Sequence, residues 1–86
     1  MQLVYSSTAI INLRKLDAKL RKRILKKMEW FLQQANPLQF AIPLRGTNLA
    51  THRFRIGDHR VLVSVIFLQD TILVVTIKPR SQVYNS

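Results

Sequence analysis

Cysteine is absent from the chain of 86 residues, which excludes a disulfide framework and every thiolate metal site and fits a reducing cytoplasm. The two histidines are too few to build a zinc site by themselves. No apolar run approaches the ~20 residues that a bilayer span requires, and Met1 to Thr8 lacks a basic region followed by a long apolar stretch. Neither a membrane segment nor a standard secretion signal is therefore expected. Two glycines and three prolines beside 48% hydrophobic residues give the composition of a folded globule rather than a disordered tail. Acidic groups are scarce: four Asp and Glu stand against fourteen Lys and Arg, for a net charge of +10.

Residues 1–86 fit a single domain with one modest core of two layers. The positive surplus repels itself and lowers stability unless a polyanion or an acidic partner relieves it. Nucleic acid is the foremost candidate.

Gln2 to Tyr5 reads as a short strand, and the hydroxyls of Ser6, Ser7 and Thr8 can cap a helix from about Ser7 to Leu16. Asp17 can cap a second helix, in which Leu20, Ile24, Met28 and Phe31 form one apolar stripe flanked by Leu16, Leu25 and Leu32. Lys19, Lys22, Arg23 and Lys26 fall away from that stripe, Arg21 and Lys27 border it, and Ala35-Asn36-Pro37 ends it. Pro37, Pro43 and Gly46 mark Leu38 to Asn48 as a connecting loop. The period then changes to two, and Leu49 to Ile56, His59 to Leu68 and Thr71 to Ile77 are predicted as three antiparallel strands.

Gly57-Asp58 suits a two-residue type II′ hairpin turn. That turn pairs Ile56 with His59, Arg55 with Arg60 and Phe54 with Val61, and Arg53 shares the face of Arg55. Three guanidinium groups then converge on the face that also carries Leu62, Ile66, Leu73 and Val75. The other face collects Phe54, Ile56, Val61, Val63, Val65 and Phe67 for burial under the helices. Charged runs commonly serve only to keep a face soluble, but directly opposed like charges on a sheet are destabilising, and an anion would remove that cost. With Gln69-Asp70 as a two-residue turn, Lys78 falls on the Val61 face, away from the arginines, unless a bulge or twist near Pro79 redirects the chain.

Leu44-Arg45-Gly46, His52-Arg53-Phe54-Arg55-Ile56-Gly57-Asp58-His59-Arg60-Val61 and Arg80-Ser81-Gln82-Val83-Tyr84, taken in order and spacing, resemble the RelE/ParE toxin superfamily over nearly the whole chain. The resemblance implies an α+β, two-layer RelE-like fold, with two N-terminal helices packed on one face of an antiparallel sheet in the order β-α-α-β-β-β. It further implies a toxin of a type II toxin–antitoxin system, encoded beside an acidic antitoxin, that cuts mRNA in the ribosomal A site without metal or cofactor. By position, Arg53 and Arg55 match two basic residues of the family's site strand, Arg60 its transition-state arginine, Lys78 and Arg80 basic residues near the C-terminus, and Tyr84 its terminal tyrosine. ParE-like members inhibit DNA gyrase and generally lack the nuclease constellation, so a non-catalytic gyrase inhibitor is the alternative. A third reading is a basic subunit that serves only as antitoxin ligand and DNA corepressor, reaching operator DNA through the antitoxin complex.

Metal-independent cleavage uses the 2′-hydroxyl of the substrate as nucleophile and leaves a 2′,3′-cyclic phosphate and a 5′-hydroxyl. Arg60, assisted by Arg53, suits the charge growing on phosphorus because a guanidinium binds phosphate oxygens through two parallel N–H groups and stays protonated. Arg55 stands where the family often has lysine, and a guanidinium is a poor base, so it is assigned to orienting phosphate. Lys78 is the candidate donor to the leaving oxygen, and Tyr84 stacks on a base or shares in proton transfer. His52 and His59 point to the Phe54 face and are not expected to act. Lys19, Lys22, Arg23, Lys26 and Lys27 form a second cationic surface suited to rRNA, with Trp30 bordering it.

Overall fold

Each helix begins where a short polar side chain satisfies an amide at its first turn. Ser6 Oγ accepts from the Ala9 amide at 3.0 Å ahead of α1 (Ser7–Arg14), and Asp17 Oδ1 accepts from the Leu20 amide at 2.9 Å ahead of α2 (Ala18–Leu32). In this computed structural model, which describes residues 1–46 and 49–81, the helices cover one face of a five-stranded sheet. The strands are β1 (Gln2–Tyr5), β2 (Ala41–Pro43), β3 (His52–Ile56), β4 (His59–Ile66) and β5 (Thr71–Pro79), in the spatial order β1-β5-β4-β3-β2. No helix among the described residues is long and apolar enough to cross a membrane.

The expected two-layer α+β fold is present, with two changes to its sheet. The sheet is mixed rather than antiparallel, because β1 runs parallel to β5, with Leu3 opposite Ile72 and Tyr5 opposite Val74. Hairpins impose antiparallel pairing; β1 instead leaves the sheet through α1, and the long chain to β5 supplies the crossover a parallel neighbour needs. The segment expected to be a loop contains a short 3-10 turn, Pro37–Phe40, and then β2, which pairs Ala41 with Phe54 and Pro43 with His52. Pro43 is tolerated there because β2 is an edge strand.

The expected β3–β4 pairing is found residue for residue: Ile56 opposite His59, Arg55 opposite Arg60 and Phe54 opposite Val61. Gly57 has φ of +57° while Asp58 stays out of the left-handed region, as a type II′ turn requires. The core lies between Ala9, Leu13, Ile24, Met28 and Phe31 of the helices and Phe54, Ile56, Val61, Val63, Val65, Ile72, Val74 and Ile77 of the sheet. Phe31 stacks on Phe54 with centroids 4.7 Å apart, joining the apolar stripe of α2 to the centre of β3. Phe67 departs from expectation. It leaves the core face for a 3-10 turn, Phe67–Gln69, and is exposed, because β4 ends at Ile66 and the β4–β5 connection takes four residues instead of two.

Candidate functional site

The face turned away from the helices carries Arg53 and Arg55 from β3, Arg60 and Leu62 from β4, and Thr76 and Lys78 from β5. Arg55, Arg60 and Lys78 stand in one row, since Arg55 pairs with Arg60 and Arg60 in turn with Lys78. Arg53 lies two residues along β3 on the same face, opposite Leu62. Three neighbouring strands therefore bring four of the expected cations to one end of one sheet face.

Lys78 joins this row through a register change. Between Ile66 and Val63, β4 pairs with β5 as Ile66–Thr71, Val65–Ile72, Ser64–Leu73 and Val63–Val74, whereas beyond it the pairs are Leu62–Thr76, Val61–Ile77 and Arg60–Lys78. Val75 is the extra residue of a bulge. Continued without it, the first register would set Lys78 opposite His59, on the core face. Lengthening the β4–β5 turn from two residues to four leaves that parity unchanged, so the bulge alone places Lys78 with the arginines. The trace it leaves in the core is the spacing of Ile72, Val74 and Ile77, which steps by two and then by three.

The row is graded in exposure. Arg60 is only 1% exposed, Arg53 and Lys78 are half-buried, and Arg55 and Arg80 are exposed. The arginine face is thus less open than alternation suggests, and Arg60 is its fixed member, with Nη1 donating to the His59 carbonyl at 3.3 Å. The Arg80 amide donates to the Asp58 carbonyl at 2.8 Å, which ties the chain leaving β5 to the β3–β4 turn. Tyr84 lies outside the described residues. His52 pairs with Val63, and His59 with Ile56 and Pro79, so both histidines belong to the helix-side face as expected.

The remaining expected cations gather on the other layer. Lys19, Lys22, Arg23, Lys26 and Lys27 line an open groove of about 600 Å³ on α2, with Trp30 at its end. Trp30 is 42% exposed, packs edge-on against Phe31 and Phe40, and has Lys27 Nζ 4.5 Å from its ring centroid. Arg23 connects the two surfaces: its guanidinium lies against Gly57, where a Cβ would come 3.4 Å from Nη1. Arg23 thus brings the edge of the α2 groove to the β3–β4 turn, at the end of the sheet where Arg55, Arg60 and Lys78 stand in their row.

No family model matches the chain, and no curated protein matches it. Solved structures do. The RelBE2 toxin–antitoxin complex of Mycobacterium tuberculosis superposes with a TM-score of 0.76 at 22% identity, covering 92% of this chain and 96% of that one. The archaeal RelE–RelB complex of Pyrococcus horikoshii OT3 gives 0.73 at 26% identity, covering 94% and 96%. The isolated E. coli RelE toxin gives 0.70 at 23% identity, covering 98% and 90%. The chain has the RelE fold. Within the RelE fold the row of Arg55, Arg60 and Lys78 occupies β3, β4 and β5 at the end marked by the Gly57-Asp58 turn, and the α2 groove lies on the helical layer.

Proposed function

We propose that this chain is the toxin of a type II toxin–antitoxin system and acts as a ribosome-dependent, metal-independent endoribonuclease on mRNA in the A site. The observation that carries the reading is the row of Arg55, Arg60 and Lys78 across three strands, with Arg53 beside it, on the sheet face left free by the helices. Such an arrangement suits a backbone phosphate, because forked guanidinium donors fixed before the reaction stabilise charge that grows on the phosphoryl oxygens.

In this mechanism the 2′-hydroxyl attacks the adjacent phosphorus and passes its proton to water, the bond from phosphorus to the 5′-oxygen breaks, and the 5′-oxygen departs with a proton gained. Arg60, held among its neighbours at 1% exposure, binds the phosphoryl oxygens as charge accumulates there, with Arg53 assisting. Exposed Arg55 orients the incoming phosphate, and Lys78 protonates the leaving 5′-oxygen. Tyr84 and Arg80 act from the C-terminal segment, Tyr84 by stacking on a base or sharing in proton transfer and Arg80 by holding phosphate. The site is short of a group that ionises near neutral pH, so much of the acceleration comes from the ribosome holding the mRNA in line. Free RNA is accordingly a poor substrate.

Lys19, Lys22, Arg23, Lys26 and Lys27 hold the protein on rRNA through phosphate contacts. An acidic antitoxin covers the cationic surface in the inhibited complex, consistent with the net charge of +10 and with the RelB partners of the structural neighbours. That complex contacts operator DNA through the antitoxin, and the site of action is cytoplasmic.

Primer extension on cellular mRNA after induction tests the reading. Discrete cleavage within codons, lost in Arg60→Ala, is expected. Growth arrest that persists in Arg60→Ala, with mRNA intact and DNA supercoiling impaired, would replace the nuclease by a gyrase inhibitor.

A further inference from the structure

The bulge that carries Lys78 to the arginine face is held from outside the β4–β5 pair. A bulge leaves ladder groups without their regular partners, and those groups must be satisfied elsewhere. Here the partners come from both ends of α1, its N-cap Ser6 and Asn12 in its last turn, which bond the outer side of β5 where β1 ends. The Ser6 amide donates to the Val74 carbonyl at 2.9 Å, and Ser6 Oγ donates to the Val75 carbonyl at 2.7 Å. Asn12 Oδ1 accepts from the Ile77 amide at 3.0 Å and from Thr76 Oγ1 at 2.9 Å. Four successive residues of β5, from Val74 to Ile77, are thus bonded by two residues six apart in sequence.

Ser6 and Asn12 are both tied to the helix they use as a support. Ser6 Oγ accepts from the Ala9 amide while it donates to Val75, so its single proton has one direction. Asn12 lies between Ala9 and Leu13, whose buried side chains fix α1 against the core. Loss of the Ser6 hydroxyl would release the first turn of α1 and the Val75 carbonyl together.

We propose that Ser6 and Asn12 are positioning residues for Lys78: by holding the Val75 bulge they set the register that places Lys78 opposite Arg60. The inference rests on the role given to Lys78 above. Neither residue touches substrate. Without these contacts the β5 segment beyond Val74 loses its fixed register, and the Lys78 ammonium loses its place in the row while the arginines of β3 and β4 keep theirs.

The test uses the full-length chain with Asn12→Ala, Asn12→Asp and Ser6→Ala, in cleavage on programmed ribosomes and in NMR of the free protein. In Asn12→Ala the Ile77 amide is expected to exchange with solvent about tenfold faster and the backbone NOEs between Arg60 and Lys78 to weaken. Its single-turnover cleavage is expected to fall about tenfold at saturating ribosomes with binding unchanged, and to fall no further when combined with Lys78→Ala. Asn12→Asp keeps an acceptor oxygen for Ile77 and Thr76 and restores both readings. Ser6→Ala, which removes one bond to the bulge, weakens the same NOEs. Retention of the Arg60–Lys78 NOEs in both alanine variants overturns the proposal. So does a cleavage loss in Asn12→Ala that adds in full to that of Lys78→Ala. A wild-type chain that cuts no mRNA sinks the nuclease reading instead, and the NMR arm still decides what holds the bulge.

Discussion

Arg60 and Lys78 are cross-strand partners on the sheet face turned from the helices, although uninterrupted alternation along β4 and β5 would set them on opposite faces. The pairing gives the site a buried guanidinium beside a half-buried ammonium. These cations differ in what they can do. The guanidinium stays protonated and presents a planar fork, while the ammonium can give up a proton.

Replacing Arg60 tests the first of these roles. Arg60→Ala is expected to lower single-turnover mRNA cleavage about 10²- to 10³-fold, as removal of one fixed donor to a developing oxyanion does. Arg60→Lys keeps the charge without the fork and is expected to fall between the two. Thermal melts of both variants separate this loss from unfolding, which matters because the side chain is almost wholly enclosed. Equal activity in Arg60→Lys and wild type would show that charge alone suffices.

The groove on α2 has an electrostatic signature of its own. If Lys19, Lys22 and Lys26 each meet an rRNA phosphate, the triple alanine variant loses about 0.7 to 0.9 per contact in the slope of log affinity against log salt, about two to three in all. Titration of ribosomes at several salt concentrations measures it. An unchanged slope would return these lysines to the role of a solvated helix face.

Most of the layout behind these two surfaces was legible in local patterns. Asp17 caps α2, the stripe of Ile24, Met28 and Phe31 packs inward, and Gly57-Asp58 fixes the pairing of Arg55 with Arg60. Each depends on residues close in sequence. What was not legible depends on distant partners. β2 exists because Ala41–Pro43 lies along β3, and β1 is parallel because β5 receives it. The Val75 bulge left no readable mark, since Leu73, Val74 and Val75 are all apolar and either face of β5 could be the inner one. Asn12 offered no signal at all in a helix read for its apolar positions, and Ser6 was legible as a cap but not as the donor to Val75.

The β3–β4 turn is open to a direct stability test. Gly57 has φ of +57°, a region costly to residues with a Cβ, and a methyl group there would also meet Arg23 Nη1 at 3.4 Å. Gly57→Ala is expected to destabilise the fold by about 1 kcal/mol in urea unfolding, with an unchanged m-value. Gly57→Asn tolerates the left-handed backbone better and is expected to cost less. An alanine variant as stable as wild type would mean that the turn adopts another type in solution.

Tyr5 supplies a pH dependence with a definite sign. It pairs with Val74 on the helix side of the sheet, and its hydroxyl is buried with no hydrogen-bond partner among the described residues. Burial, and then the negative charge of Glu29, push its pKa up to about 12. The unfolded chain loses this proton near pH ~10. Between pH about 10 and about 12 the folded state therefore binds more protons than the unfolded state, and stability falls as pH rises through that window. The rest of the chain is common to both proteins, so the informative quantity is the difference between wild type and Tyr5→Phe. The variant is expected to be more stable by about 1 kcal/mol at pH 8, where it merely removes an unpaired buried hydroxyl. Its advantage is expected to widen from pH 10 upward, because phenylalanine has no proton to lose. Urea titrations of both proteins at pH 8, 10 and 11 measure the gap, and a gap that stays constant across them would place the Tyr5 hydroxyl in water.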